Sequence, residues 1–202
     1  MKKLVFASNN AHKLSEIRAI LGDRIEIISL SDLQCHEEIP ETADTLEGNA
    51  LIKARYVWEH YGLYCFADDT GLEVEALGGA PGVYSARFAG EHASFEDNVS
   101  LLLERLSGVA APRRARFRTV IALIDEYGTH FFEGSVDGEI TLERSGDHGF
   151  GYDPILYLPE YGKCSAELSE HEKNAISHRG KALRQMQEKL RGIYADAVDG
   201  RV

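Results

Sequence analysis

The fold is decided by the stretch Tyr64-Cys65-Phe66-Ala67-Asp68-Asp69-Thr70-Gly71. Its first half is apolar and aromatic, which is typical of a buried β-strand. We predict that this strand ends at the two acids and that Thr70-Gly71 turns the chain. Because successive side chains of a strand point to opposite faces, Asp68 and Asp69 are expected to have different roles. One carboxylate can hold a divalent cation or activate water; the alternative is a turn with two solvated acids.

Upstream, an apolar strand leads through a polar turn into a helix. The strand is predicted over Leu4 to Ala7, and the turn Ser8-Asn9-Asn10-Ala11-His12-Lys13 follows it. Apolar residues then recur at helical spacing, at Leu14, Ile17 and Leu21. Free N–H groups and the dipole of a helix start favour a bound phosphate, and Lys13 adds charge. The alternative is an ordinary N-cap followed by an exposed lysine.

An acidic loop, residues 37–44, lies between this helix and the central stretch. Such a loop is usually solvated, but it could send one carboxylate into a cleft as a second metal ligand. Asp44 and Glu47 have the spacing of a capping box, which predicts a helix from there to about His60.

The middle of the chain has a different character from its two ends. A glycine-rich loop, residues 78–90, contains Arg87, which could bind an anion or a carboxylate. Ser94 and Asp97 then predict a capped helix to about Leu106. Strands are expected at Ala115 to Asp125 and at Thr129 to Leu142, the second one broken near Gly134 and Gly138. We interpret this part as antiparallel β-structure, which makes a second lobe plausible.

The hexapeptide Gly149-Phe150-Gly151-Tyr152-Asp153-Pro154 is a candidate ligand loop. Its glycines allow the backbone to approach a ligand closely, and Phe150 offers a face on which a planar base could stack. Asp153 can accept a hydrogen bond. The alternative is a tight turn around a buried aromatic side chain.

A polar helix follows, and Ser169 with Glu172 predicts its capped start. The helix either continues to Arg191 or restarts at Ser177. In the second case His178 and Arg179 lie in a first turn, where the helix dipole disfavours cations and a bound anion or base carbonyl would offset the cost. Otherwise the pair belongs to an ordinary helix surface.

Composition bounds the classes of function. The 202 residues suit one domain, and the net charge of -11 argues against general nucleic-acid binding. No apolar run reaches the roughly 18 residues that a membrane helix needs, and the apolar start is too short for a signal peptide. Cys35, Cys65 and Cys164 are odd in number and have no metal-binding spacing, so we expect reduced thiols in a cytoplasmic protein.

Together and in this order, these motifs resemble those of the Ham1-like, or inosine triphosphate pyrophosphatase, family. The resemblance covers about Leu4 to Leu190. It rests on Ser8-Asn9-Asn10 with Lys13, Pro40-Glu41-Thr42 with Asn49 and Lys53, Ala67 to Leu72, Gly79 to Arg87, Gly149 to Pro154, and Glu172-Lys173 with Ile176 to Gly180.

The resemblance implies a single α/β domain over residues 1–202: an elongated mixed sheet with flanking helices, in two lobes around a central nucleotide-binding cleft. It implies a cytoplasmic homodimer that uses Mg²⁺ to hydrolyse ITP, dITP and XTP to the monophosphate and pyrophosphate, which cleanses the nucleotide pool. The partner is then a small purine nucleoside triphosphate, with no nucleic acid and no membrane.

Individual roles also follow from the resemblance. Asp69 corresponds to the catalytic base and metal ligand, and Glu41 to the second acid at the metal. The triphosphate is expected at Ser8, Asn9, Asn10, Ala11, His12 and Lys13, together with Lys53 and Thr70. The purine is expected at Phe150, Gly151, Tyr152, Asp153, Lys173, His178 and Arg179. As donors, His178 and Arg179 would each donate a hydrogen bond to the O6 of hypoxanthine or xanthine, whereas in adenine they would face another donor, the amino group.

Two positions depart from the family pattern. Thr70 stands where the family commonly has Ser, and both side chains carry a hydroxyl. Glu47-Gly48-Asn49-Ala50 stands where the family often has Glu-Asn-Ala. Because this moves the acid about 100° around the helix, we assign no metal or water role to Glu47.

The same residues argue against two other classes of function. A haloacid-dehalogenase-like phosphatase needs Asp-x-Asp so that both acids share a face, which the adjacent Asp68 and Asp69 do not provide. A nucleotide-binding regulator without catalysis would have no need of Asp69, Glu41 and Lys13.

Overall fold

One mixed β-sheet organises the chain in the computed structural model, which describes residues 2–22 and 25–196. Within these ranges the sheet has eight strands: β1 (Lys2–Phe6), β2 (Ile25–Ile28), β3 (Cys65–Val74), β4 (Pro81–Gly82), β5 (Arg114–Asp125), β6 (Gly128–Ile140), β7 (Leu156–Leu158) and β8 (Lys163–Cys164). The helices in the same ranges are α1 (Ala11–Leu21), α2 (Leu46–Tyr61), α3 (Phe95–Arg105), α4 (Glu170–Ile176) and α5 (His178–Asp196). The predicted mixed sheet with flanking helices is confirmed.

The sheet changes from parallel to antiparallel pairing at β3. Its strand order is β2-β1-β3-β5-β6-β7-β8, and β4 pairs with β3 outside this path. Strands β1, β2 and β3 pair in parallel, whereas all pairs from β3 onwards are antiparallel. The predicted antiparallel middle of the chain is therefore confirmed.

Strand β3 contributes to each of three hydrophobic clusters. Phe66 belongs to the cluster beneath α1 and α5, whereas Cys65 and Ala67 belong to the cluster beneath α2. Further along, Leu72 and Val74 belong to the third cluster, which includes α3 and β7. Alternation along the strand thus separates the face towards α1 and α5 from the face towards α2.

The predicted end of β3 at the acids is wrong. The strand continues to Val74, and each of its residues from Cys65 onwards faces a residue of β5, with Asp69 opposite Val120. A long antiparallel partner keeps the backbone hydrogen-bonded through Thr70-Gly71, so no turn forms there. Gly71 is needed for a different reason: a Cβ at this position would lie 2.6 Å from the carbonyl oxygen of Gly82 in β4.

The predicted breaks near Gly134 and Gly138 are also wrong, since β6 runs without interruption. A Cβ at Gly134 would collide with the carbonyl oxygen of His178, so this glycine lets the first turn of α5 lie directly on the sheet. A Cβ at Gly138 would lie 2.5 Å from the carbonyl oxygen of Tyr157 in the next strand. Both glycines permit close approach instead of breaking the strand.

The predicted capped starts of α3 and α4 are confirmed, because both helices begin with complete capping boxes. The start predicted for α2 is wrong: its N-cap is Thr45, whose side chain accepts a hydrogen bond from Gly48 N–H, and not Asp44. Of the two alternatives for the last helix, the structure has the restart. α4 ends at Ile176, Ser177 is extended, and α5 begins at His178.

No helix among the described residues is long and apolar enough to cross a membrane.

Candidate active site

A cleft of about 440 Å³ opens beside the middle of β3. Its walls come from the start of α1, the acidic loop, α2, the hexapeptide loop and the start of α5. Most of the predicted site residues line it, namely Ser8, Asn9, Asn10, Lys13, Glu41, Lys53, Asp69, Thr70, Phe150, Gly151, Tyr152, Asp153, Lys173, His178 and Arg179. Ala11 and His12 instead line a smaller cavity of about 190 Å³ on another side of Phe150.

Asp69 is the carboxylate that faces this cleft with a free oxygen. Its Oδ1 accepts a hydrogen bond from Thr70 N–H at 3.0 Å, whereas its buried Oδ2 has no partner. Burial raises its pKa to about 6, and the carboxylates of Glu41 and Asp68 add to this rise while Lys53 and Lys13 oppose it. A carboxyl group that titrates near neutral pH can exchange a proton with water or take up a cation.

Glu41 reaches the same region from the acidic loop. Its Oε1 accepts a hydrogen bond from Lys53 Nζ at 2.7 Å, and its Oε2 lies 3.7 Å from Arg87 Nη1. Lys53 also donates to the carbonyl oxygen of Asp68 at 2.7 Å. Burial opposes the charge of Lys53, but the surrounding carboxylates outweigh it and raise the pKa of this lysine. The predicted approach of Arg87 to a carboxylate is thus observed.

These residues fit a hard divalent cation. Mg²⁺ prefers oxygen ligands and typically binds one or two protein carboxylates, with phosphate and water completing its shell. The unpartnered Oδ2 of Asp69 and the partly exposed carboxylate of Glu41 supply that number. No cluster of three or more His, Cys, Asp or Glu able to hold a metal occurs in the described ranges, so the protein would supply two carboxylates at most.

Asp68 lies on the opposite face of β3 and is fully engaged. Lys13 Nζ donates to its Oδ1 at 2.9 Å, and Arg179 Nε donates to its Oδ2 at 2.9 Å. Burial works against the charge of Asp68, but these cations prevail and hold its pKa well below the usual range. For Lys13 burial prevails, and the pKa of its ammonium group is lowered. The prediction that the two acids have different surroundings is confirmed.

The start of α1 leaves two N–H groups available to a ligand. Asn10 is its N-cap, and the amide oxygen of this residue accepts a hydrogen bond from Lys13 N–H at 3.1 Å. The N–H groups of Ala11 and His12 precede that bond and have no intrahelical acceptor. The Asn9 side chain is occupied: its Oδ1 accepts hydrogen bonds from the backbone and hydroxyl of Ser31.

At the other end of the cleft a buried ion network joins residues far apart in the chain. Lys173 Nζ donates to Glu16 Oε1 at 2.8 Å and to Asp153 Oδ2 at 2.7 Å. Arg179 donates to Glu16 as well, in addition to Asp68 and Thr70. Sequence reasoning missed Glu16. The available signal was a carboxylate three residues after Lys13 beside the buried Ile17, but its partners lie 157 and 163 residues away.

Aromatic rings line this end of the cleft, and some of their faces are already covered by other side chains. Phe150 stacks on His12 with centroids 5.0 Å apart, and Lys173 Nζ lies 4.9 Å from its ring centroid. His178 stacks on Phe117 at 4.8 Å. The Nδ1 atom of His178 is buried without a partner, and burial together with Arg179 and Lys173 lowers its pKa well below the usual value. Its imidazole is therefore neutral at physiological pH.

Further residues line the cleft that the sequence analysis did not single out as binding residues, namely Ala7, Leu30, His36, Glu37, Glu38, Ile39, Ser85, Ala86, Phe95, Asn98 and Phe117. Several lie on the acidic loop, whose course over the cleft depends on packing against α2. The Tyr152 ring is buried in the core, and its hydroxyl donates to the carbonyl oxygen of Ser85 at 2.8 Å.

One end of the cleft has two carboxylates, two buried lysines and an open helix start, and the other end has rings with polar partners. This arrangement is that of an enzyme that cleaves a phosphoanhydride in a nucleotide. The chain belongs to the Ham1 family, whose family model matches residues 4–189.

Similar proteins agree with this assignment. The chain is 59% identical over 191 residues to a dITP/XTP pyrophosphatase of Porphyromonas gingivalis, covering 94% of this chain and 98% of that protein. It is 53% identical over 184 residues to a dITP/XTP pyrophosphatase of Flavobacterium johnsoniae, covering 91% and 95%. The structure of the Staphylococcus aureus Ham1 protein matches with a TM-score of 0.85 at 42% identity, covering 95% and 99%. A HAM1 protein from Coxiella burnetii matches with a TM-score of 0.86 at 42% identity, covering 94% and 98%.

Proposed function

We propose that this protein is a Mg²⁺-dependent nucleoside triphosphate pyrophosphatase. It hydrolyses ITP, dITP and XTP to the monophosphate and pyrophosphate and so removes these nucleotides from the cellular pool. The observation that carries the proposal is Asp69, a buried carboxyl group with a raised pKa and a free oxygen, beside Glu41 and Lys53 in the large cleft. The names of the relatives from Porphyromonas and Flavobacterium support the choice of substrates.

Each of the residues at the carboxylate end of the cleft has a separate role in the proposed reaction. Asp69 and Glu41 would hold Mg²⁺, which supplies charge neutralisation at the phosphate oxygens. Asp69, whose Oδ2 has no partner in the protein, would also accept the proton of the water that attacks the α-phosphorus. Lys53 and Lys13 offset charge on the departing pyrophosphate, and the N–H groups of Ala11 and His12 bind phosphate oxygens. Such a reaction needs no covalent nucleophile.

The end of the cleft at Phe150 and His178 binds the purine base and distinguishes one base from another. Phe150 offers an aromatic surface, and the neutral His178 has a ring nitrogen without a partner. We propose that His178 bonds the purine and discriminates a 6-oxo group from the amino group of adenine. The sequence-based interpretation gave Arg179 the same role. The bonds of Arg179 to Asp68, Glu16 and Thr70 favour a second role for it, as the anchor of Asp68.

A turnover assay with ITP and MgCl₂ tests the proposal, with ³¹P NMR used to identify the products. Pyrophosphate and IMP are expected, and ATP should be a poor substrate. Orthophosphate as the first product would indicate a phosphatase, and no turnover would indicate a binding protein. Mn²⁺ should replace Mg²⁺, whereas Ca²⁺ should bind without supporting turnover. Full activity in excess chelator would exclude the metal role.

We also propose that the protein is a cytoplasmic homodimer, as the family resemblance implies. The three cysteines, Cys35, Cys65 and Cys164, are buried and free, which supports a reducing compartment. Light scattering coupled to gel filtration measures the mass directly. A value near twice 22.4 kDa is expected.

A further inference from the structure

The acidic loop is fastened to the first turn of α2. Oδ1 of the fully buried Asn49 accepts a hydrogen bond from Ala43 N–H at 2.9 Å. Thr45 Oγ1 accepts a hydrogen bond from Gly48 N–H at 3.0 Å. Both contacts act on the backbone that follows Glu41, so they fix where this segment leaves the cleft.

Gly48 provides the space that this attachment needs. A Cβ at Gly48 would lie 2.5 Å from Ala43 Cβ and 3.0 Å from Thr45 Oγ1. Real Cβ atoms do not approach that closely, so any side chain at position 48 must displace the segment of Ala43 or the helix turn. The backbone of Gly48 has no positive φ, so the constraint on this glycine is space and not conformation.

Glu41 is thereby held from two directions. On the helix side the Ala43 segment lies on Gly48 and is bonded to Asn49, and Lys53 Nζ holds the Glu41 carboxylate at 2.7 Å. On the opposite side Arg87 Nη2 donates to the carbonyl oxygen of Glu41 at 3.4 Å. A shift of the loop would move this carboxylate relative to Asp69, which lies on the rigid strand β3.

We propose that Gly48 and Asn49 are positioning residues that seat the acidic loop on α2, so that Glu41 is presented next to Asp69 for the metal. This inference rests on the proposed function, since it assigns the metal to that pair. It also explains the departure at position 48. Where the family often has an acid, this chain has a close backbone contact, and restoring an acid by Gly48→Glu would displace the loop.

A pair of substitutions at the contact between Gly48 and Ala43 tests this inference. Gly48→Ala adds the one atom that collides with Ala43 Cβ, and adding Ala43→Gly removes this contact, leaving the milder 3.0 Å approach to Thr45 Oγ1. Mn²⁺ binding without nucleotide, measured by electron paramagnetic resonance, reports the site apart from turnover. We expect Gly48→Ala to raise the Mn²⁺ dissociation constant and the Mg²⁺ concentration for half-maximal activity by roughly tenfold, as loss of support around metal ligands typically does. The double variant should return both values to within about twofold of the parent, because the two sites act through one contact.

Gly192→Ala is the matched control, because Gly192 is also helical and a Cβ there meets nothing within 4 Å. Its metal affinity should equal that of the parent. Thermal melting of each variant separates displacement of the loop from unfolding, since Gly to Ala in a helix ordinarily stabilises it. If Gly48→Ala fails to fold, Asn49→Ala carries the test: it should weaken Mn²⁺ binding, and Ala43→Gly should not rescue it.

Unchanged Mn²⁺ affinity in both Gly48→Ala and Asn49→Ala would overturn the inference. So would a folded double variant that binds Mn²⁺ no better than Gly48→Ala. These outcomes are separate from failure of the proposed function, which would appear as absence of ITP turnover by the parent protein.

Discussion

The two faces of strand β3 treat adjacent aspartates in opposite ways. On the face towards α1 and α5, both oxygens of Asp68 are bonded to cations and its pKa is held well below the usual range. On the face towards α2, Asp69 keeps an unpartnered oxygen and its pKa is raised to about 6. Both side chains are buried, with 1% and 6% of their surface exposed, so burial alone does not separate them.

The difference lies in the partners that each face supplies. Asp68 meets Lys13 from α1 and Arg179 from α5, each within hydrogen-bond distance. On the other face Lys53 donates its short hydrogen bonds to Glu41 and to the backbone carbonyl of Asp68, and not to Asp69. A buried carboxylate without its own cation is costly, and a metal ion would remove that cost. The first face therefore neutralises its carboxylate with protein cations, and the second leaves one carboxylate oxygen free for a ligand.

The largest expected effect is on turnover, at Asp69. Asp69→Asn removes the base and a metal ligand while keeping the shape of the side chain. We expect kcat for ITP to fall by about 10³, in the range typical of a lost general base. Thermal stability at pH 7 should hold or rise, because a buried charge without its own cation is removed. Activity within a few-fold of the parent would assign the chemistry to another residue.

Asp68→Asn should act mainly on stability. The substitution leaves the buried Lys13 without its counter-charge and Arg179 with Glu16 as its remaining carboxylate, and breaking a buried pair in this way typically costs about 3–5 kcal/mol. Urea denaturation measures the change in the free energy of unfolding. Equal and purely catalytic losses at Asp68 and Asp69 would contradict the separation of the two faces.

The third prediction concerns selectivity between substrates. His178→Phe keeps a ring on Phe117 and removes both ring nitrogens. We expect kcat/KM for ITP to fall by about 10- to 100-fold through the lost hydrogen bond, and that for ATP to fall much less. Arg179→Ala is the comparison: as the anchor of Asp68 it should lower both values by a similar factor. If it compresses the ratio of ITP to ATP instead, Arg179 reads the base.

The pH dependence of stability should have opposite signs on the two faces. Because the pKa of Asp69 is raised, the folded protein binds the proton of this carboxyl group more tightly than the unfolded chain does. The contribution of Asp69 to the free energy of unfolding therefore falls as pH rises from 3.8 to about 6. The lowered pKa of Asp68 gives a contribution that is present at neutral pH and lost as pH falls below 3.8. Urea titrations across pH 3–7 should show the first trend vanish in Asp69→Asn. If the trend persisted in Asp69→Asn, a group other than Asp69 would be the one that binds the proton.

Metal binding offers a related check on Asp69. Because Mg²⁺ binds the ionised carboxylate, affinity should fall below a pH of about 6 in the parent protein. Calorimetric titration at pH 5 and pH 7 measures this directly.

Local sequence patterns determined much of this protein. Ser94 with Asp97 and Ser169 with Glu172 specify helix starts through contacts three residues apart, and both starts form as predicted. The alternation of a strand separated Asp68 from Asp69, since it depends only on backbone geometry. The order of the motifs over the whole chain indicated the Ham1 family, which the match over residues 4–189 confirms.

Tertiary structure decided what depends on distant partners. The turn expected at Thr70-Gly71 does not form, because β5, more than 40 residues further on, keeps the backbone paired there. Glu16 enters the site only because α5 and α4 bring Arg179 and Lys173 to it across 163 and 157 residues. Gly48 shows no motif of its own, and its importance appears only when Ala43 lies on it. A local pattern records what a residue prefers, whereas the packed neighbours that decide its pKa and its role come from folding of the whole chain.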